Sequence, residues 1–266
     1  MKYIVDHDYH IHSRLSTCSD DPLQTPERML RYAKEHGLKR ICIADHFWDD
    51  AVEGASDWYA PQDYAHISES LPLPQDADVE FLFACETELD KNLTLGLSPE
   101  KYDKFDFIII PTTHLHMKNF TIEADATLEM RADAYVKRFE KILSMDLPFH
   151  KVGIAHLTCP LIAKKPPEAF IEVLDMVSDE TFERLFTKAA ALGVGIELNF
   201  QTNYEEEAME RILRVYRIAK KCGCKFYLGS DTHKECYLDD GYNRLCRIVD
   251  MLELEESDKF ILNKNR

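Results

Sequence analysis

Phe81-Leu82-Phe83-Ala84-Cys85-Glu86 is an apolar run that ends in a carboxylate. It is hydrophobic at consecutive rather than alternate positions, so it reads as a strand covered on both faces, as in a parallel sheet with helices packed outside it. Working outward, β-rich runs recur at residues 3–9, 40–44, 105–110, 152–155, 194–198 and 226–229, which with 79–85 makes seven. Between most of them lie segments with helical period and recognisable ends. Thr25-Pro26-Glu27 opens one that Gly37 closes, 124–145 is the longest, Ser178 caps 182–192 ahead of Gly193, and 205–222 stops at Gly223. Strands alternating with helices imply parallel strands joined by crossovers, and seven β/α units suit a TIM-like α/β barrel, closed or nearly so. An open doubly wound sheet is the alternative, but no G-x-G-x-x-G or P-loop follows any of the strands. With no internal repeat, no Ser/Gly linker and no break in composition, residues 1–266 are expected to form a single domain.

The charge balance narrows the partners. Thirty-two Lys+Arg against 48 Asp+Glu gives −16, a far field that repels a polyphosphate backbone and disfavours long nucleic acid or an anionic membrane surface. No apolar run approaches the ~20 residues of a membrane span, and Met1-Lys2-Tyr3-Ile4-Val5-Asp6-His7 meets acid and imidazole too early for a signal peptide. A cytoplasmic protein is expected. The eight cysteines agree with that: Cys42 and Cys85 sit in apolar strand-like runs, no C-x-x-C is present, and Cys222-Gly-Cys224 reads as small residues around a helix-to-strand turn.

Each run hands over to metal-ligating residue types at its C-terminal end. His10 and His12 follow the first, Asp45 and His46 the second, Glu86 and Glu88 the third, and His114 and His116 the fourth. His156 follows the fifth, Glu197 and Asn199 the sixth, and Asp231 and His233 the seventh. In a parallel barrel those ends share one rim, where such folds keep their active sites. The i, i+2 spacing of His10 and His12, and of Asp231 and His233, puts each pair on one face of an extended chain. Glu86 at the end of a doubly covered strand needs a cation, because burying it unpaired costs several kcal/mol. A lone H-x-H is as readily a satisfied histidine pair and a lone His156 an ordinary hydrogen-bonded side chain, but the coincidence at seven strand ends points to a metal centre. His10, His12, His46, Glu86, His114, His156, Asp231 and His233 exceed what one tetrahedral ion uses, so more than one ion is expected. Imidazole with carboxylate suits zinc, manganese or iron.

The run Asp8-Tyr9-His10-Ile11-His12-Ser13, followed in order by Ser19-Asp20-Asp21, Pro26-Glu27, Ala44-Asp45-His46, Ala84-Cys85-Glu86, Thr113-His114, Ala155-His156 and Gly229-Ser230-Asp231-Thr232-His233, resembles the PHP (polymerase and histidinol phosphatase) family, in particular its stand-alone phosphatases. The resemblance implies a distorted seven-stranded β/α barrel with three metal ions. His10, His12, Glu86 and Asp231 would hold the first, Glu86 would bridge to a second on His114 and His156, and His46 and His233 would hold a third. The third site needs another ligand. Family members carry Asp or His five or six positions after the second motif histidine, where this chain has Thr17 and Cys18. Asp20 is the favoured ligand, with Cys18 and then Asp21 as the alternatives.

The expected activity is hydrolysis of a small phosphate monoester by metal-activated hydroxide. Divalent ions lower the pKa of a bound water toward ~7 and neutralise charge on the phosphoryl oxygens. No G-x-S-x-G competes with this reading. Arg14 and Lys118 are candidate phosphate donors at the rim, with Lys164-Lys165 a weaker one. The leaving group's proton is assigned to the third ion's water, Asp20 or His116, and for His116 an ordinary surface role is the competing reading. Trp48, Trp58 and Tyr59 read as packing, with a lid or a partner contact as the alternatives. The other functional readings are a phosphodiesterase or exonuclease acting on nucleotides or short oligonucleotides, and a non-catalytic metal-binding regulatory module.

Overall fold

The computed structural model describes residues 1–166 and 168–262. Its framework is a sheet of seven parallel strands in sequential order: β1 (His7–Ile11), β2 (Arg40–Phe47), β3 (Glu80–Thr87), β4 (Phe107–Pro111), β5 (Val152–Ala155), β6 (Gly195–Leu198) and β7 (Lys225–Leu228). Among the described residues the helices are α1 (Pro26–Glu35), α2 (Tyr64–Ile67), α3 (Leu128–Ile142), α4 (Ala169–Asp175), α5 (Asp179–Leu192), α6 (Glu206–Lys221) and α7 (Leu238–Met251). The two edge strands approach each other. Asp231 N–H donates to His10 O at 2.7 Å, His12 N–H to Thr232 O at 3.0 Å, and Leu228 N–H to the His7 ring at 3.1 Å. The result is a nearly closed TIM-like barrel. No helix among the described residues is long and apolar enough to cross a membrane.

The helix ends follow local chemistry. Thr25 accepts from Arg28 N–H ahead of Pro26, Thr127 caps α3, Ser178 caps α5, and Gly193 ends α5 in the left-handed conformation at φ 72°. The segment expected at 124–145 therefore forms Leu128–Ile142 behind its cap Thr127, two residues after the acidic Glu123-Ala124-Asp125 turn. Helices α4 and α7, which sequence periodicity did not single out, cover the barrel between β5 and β6 and after β7.

Alternation along the strands separates two cores. Ile41 and Ile43 of β2, Phe83 and Cys85 of β3, and Ile108 and Ile110 of β4 face the helices. Cys42, Ala44, Leu82, Ala84, Phe107, Ile109, Ala155 and Tyr227 fill the interior, with Phe260 closing the end opposite the site through its N–H on Phe226 O at 2.8 Å. The inward parity of 42, 44, 82 and 84 continues to His46 and Glu86, which are in register. In β1 a register shift between Asp8 and Ile11 changes the parity. Tyr9 belongs to the inner layer, Ile11 to the outer, and His10 and His12 both face in at the C-terminal rim, the kind of re-aiming a bulge provides.

Candidate metal centre

The side chains that the strands deliver converge on Glu86, which is 0% exposed. Its Oε2 lies 3.0 Å from His46 Nδ1, 3.3 Å from His12 Nε2 and 3.5 Å from His10 Nε2, and its Oε1 lies 3.2 Å from His156 Nε2 and 3.9 Å from His114 Nε2. Asp231 closes the cluster from β7, with Oδ1 3.1 Å from His12 Nε2 and Oδ2 3.7 Å from His156 Nε2. The rings of His12 and His233 stack with centroids 4.1 Å apart. Two sets have ligand atoms close enough to share an ion: His10, Glu86, His156 and Asp231, and His12, His46 and His233. His12 falls in the second set, and its Nε2 also lies 3.1 Å from Asp231 and 3.3 Å from Glu86, within reach of the first-site ligands with which the resemblance grouped it. His114 approaches Glu86 but belongs to neither set.

A second layer fixes which ring nitrogen faces inward. His10 Nδ1 is 2.6 Å from Glu197 Oε1, and His114 Nδ1 is 3.0 Å from Glu88 Oε2. Ser16 donates its hydroxyl to Asp45 at 2.6 Å and therefore accepts from His12 Nδ1 at 2.9 Å. A ring that donates through Nδ1–H keeps the Nε2 lone pair for a metal. Glu88 is itself paired with the buried Arg138, and Glu197 also accepts from His156 N–H at 3.0 Å. His156 and Asp231 hold left-handed backbones at φ 58° and 53°, a conformation that costs a non-glycine residue about 1 kcal/mol or more and recurs at functional sites. At Gly229 a Cβ would collide with Glu197 Oε1 and come within 2.7 Å of His10 Cβ.

The electrostatics match a cation site. Burial alone would raise the pKa of Glu86, but His46 and His10 hold it well below the carboxylate range, and burial of Asp231 is likewise outweighed by His156 and His233. Burial lowers His156, yet Asp231 and Glu197 carry it up to about 9, while burial and His12 push His233 down to about 3. Both Glu86 carboxylate oxygens, His46 Nδ1 and His156 Nε2 are buried with no hydrogen-bond partner. Two carboxylates and several ring nitrogens converging within 3.0–3.9 Å around the buried Glu86 make up a donor set that suits divalent ions.

The cluster forms the floor of a cavity of about 590 Å³ whose walls include Cys18, Trp58, Tyr59, His116, Lys118 and Phe120. His116 and Lys118 thus line this cavity, and His116 is held neutral, pushed to about 3 by burial and then by His114. Two expectations are corrected. Asp20 does not join the centre: the Ser16–Ser19 turn, tied by Ser19 Oγ to His233 O at 2.7 Å, sends Asp20 outward to pair with Lys234 at 2.8 Å, its side chain 81% exposed. Arg14 is exposed beside Thr25, Glu27 and Glu69, lining a different cavity. Asp21 is also engaged elsewhere, accepting from Glu235 N–H at 2.7 Å. Of the three third-site alternatives, Cys18 alone lines the metal-end cavity. Sequence reasoning assigned no role to Glu88, Glu197, Asp45 or Ser16; the first three stood among the strand-end carboxylates, and Ser16 carried no signal. Tyr59, read as packing, is among the residues lining this cavity and is buried, with its hydroxyl unpartnered.

A family model described as the PHP domain matches residues 8–199. Among solved structures, the histidinol phosphate phosphatase of Lactococcus lactis subsp. lactis Il1403, crystallised with zinc, L-histidinol and phosphate, is similar at a TM-score of 0.61 and 15% identity, over 96% of this chain and 98% of that one. The D-hydantoinase of Bacillus sp. AR9 matches at a TM-score of 0.39 and 15% identity, over 84% of this chain and 46% of the other. A search of curated proteins by sequence returns no match.

Proposed function

Because the chain belongs to the PHP domain family, we propose that it is a metal-dependent phosphoesterase acting on a small phosphate monoester. The observation that supports this most strongly is the buried, hydrogen-bond-free Glu86 carboxylate among inward-turned imidazoles, opening onto a substrate-sized cavity. His10, Glu86, His156 and Asp231 would hold one ion and His12, His46 and His233 another, with His114 completing a third position beside Glu86; zinc, manganese and iron suit these donors. Bound there, such ions acidify water and neutralise charge on phosphoryl oxygens.

The protein's own groups do the rest. Glu197, Glu88 and the Ser16–Asp45 pair hold three rings with their lone pairs inward. Lys118 donates to the phosphate. His116 contributes a neutral ring hydrogen bond toward the leaving oxygen. Trp58, Tyr59 and Phe120 offer a flat apolar wall to the alcohol part of the ester. The similar Lactococcus enzyme, solved with an imidazole-bearing alcohol and phosphate, agrees with a substrate of that size.

The test is metal-loaded protein on chromogenic mono- and diester phosphates, with metal content measured alongside. Hydrolysis of the monoester, lost together with bound metal in Glu86→Gln, is expected. Preference for the diester would replace the reading with a phosphodiesterase, and metal uptake with no turnover of either would leave a binding module.

A further inference from the structure

A second cavity, of about 530 Å³, adjoins the metal-end cavity and shares His116 and Lys118 as a common wall. The rest of its polar lining is Thr127, Arg131, Lys164 and Lys165, with no Asp or Glu. That is the reverse of the chain as a whole, where carboxylates outnumber bases 48 to 32. Nearby cations elsewhere are neutralised: Lys91 by Glu123, Lys137 by Asp133 and Arg138 by Glu88. Lys118, Arg131, Lys164 and Lys165 have no carboxylate partner among the described residues.

The cavity is also built rather than incidental. Arg131 donates through Nη1 to Leu115 O at 2.6 Å and Ile162 O at 2.7 Å, fastening the loops that follow β4 and β5 to the first turns of α3. Thr127, which caps that 15-residue helix, and Leu128 form part of the wall, so the positive end of the helix faces the same space. Glu129, the acid of that turn, lines another cavity with Asp133 and Arg184. Four uncompensated cations beside a catalytic floor lower the energy of an anion there, and in an otherwise acidic molecule they focus it to that point.

We propose that this cavity is an anion subsite of the active centre, so that the preferred substrate carries a second phosphate on the same small molecule as the scissile one. Four cations match a dianionic phosphate better than a carboxylate. The inference rests on the phosphoesterase reading for the identity of the first group, and its test reads binding rather than turnover.

Metal-loaded protein is titrated calorimetrically with an alkylphosphonate, an ω-carboxyalkylphosphonate and an α,ω-bisphosphonate of matched chain length, over a series of lengths. At the best length the bisphosphonate is expected to bind at least about tenfold more tightly than the alkylphosphonate, an advantage that shrinks with added salt. In the Lys164→Glu/Lys165→Glu variant the ratio of the two constants falls below about threefold; because it is a ratio, a general loss of metal or fold moves both constants and leaves it unaltered. Equal binding of the two ligands by the unmodified protein, or an advantage that survives charge reversal, overturns the subsite. A carboxyalkylphosphonate that binds as tightly as the bisphosphonate overturns the choice of phosphate. Separately, a protein that hydrolyses monoesters but fails this titration loses only the subsite, whereas one that passes it without hydrolysing any ester loses the phosphoesterase reading.

Discussion

Glu197→Gln tests whether the second layer sets the metal centre. Glu197 is fully buried and serves two donors at once, His10 Nδ1–H at 2.6 Å and His156 N–H at 3.0 Å, with His156 Nδ1 a further 3.6 Å contact. A carboxylate accepts from all of them; a glutamine of the same shape has one acceptor and one donor end. If its oxygen stays on His10, its NH2 faces His156 N–H, donor against donor, and the turn that presents His156 at φ 58° loses its anchor. If it flips, its NH2 faces His10 Nδ1, which must then become the acceptor, and the ring proton moves to Nε2, the atom that points at Glu86. Either way one ligand is lost or misdirected. Removing such an outer partner weakens metal binding about 10- to 100-fold, roughly 1.4–2.7 kcal/mol, and a lost hydrogen bond to a charged group is of the same order. The assay is competition against a chromophoric chelator for zinc or manganese, with circular dichroism to confirm that the metal-free variant is folded. A folded Glu197→Gln protein whose metal affinity stays within about threefold of the parent would refute the claim that Glu197 selects the tautomer of His10.

Two further outcomes probe the packing around the centre and the opposite end of the barrel. Gly229→Ala places a methyl against Glu197 Oε1 and 2.7 Å from His10 Cβ, two buried groups with no room to retreat; a loss of about 1–3 kcal/mol in urea unfolding of the metal-free protein is expected, and an unchanged midpoint would show that the rim yields. At the far end, burial would raise Asp6, but His7 at 2.8 Å and Lys259 at 3.1 Å depress it to about 2 from 3.8. A carboxylate depressed in the folded state contributes stability that is fully present above its unfolded pKa and lost as the pH falls through the folded value. Asp6→Asn is accordingly expected to cost on the order of 1 kcal/mol at pH 6, after discounting for its partial exposure, with the gap to the parent closing as the pH is lowered toward 2. A gap that does not change with pH would assign the loss to packing.

The parts of this molecule that were legible in its sequence are those that obey local periodicity. Glu86 and His46 sit in register at the ends of runs whose alternation is visible in the residues themselves, and Ser178, Thr25 and Gly193 mark helix ends by short-range capping chemistry. The turn after β1 was misread for a physical reason. The match of Ser19-Asp20-Asp21 to the family's acidic turn favours Asp20 over Cys18, but the course of the turn is set by hydrogen bonds from Ser19 to His233 and Ser16 to Asp45, which join residues 214 and 29 positions apart. The inward aim of His10 likewise depends on a register shift against β2 that His10-Ile11-His12 does not announce. The cationic cavity has the same origin: Lys118 and, more weakly, Lys164-Lys165 are legible in sequence as separate phosphate donors, but Arg131 is not, and the four become a set only because Arg131 ties the β4 and β5 loops together across α3. Residue types at strand ends can therefore announce a candidate metal cluster, while the ring orientations, the course of the loop after β1 and the lining of the neighbouring cavity are fixed by contacts that exist only once the barrel has closed.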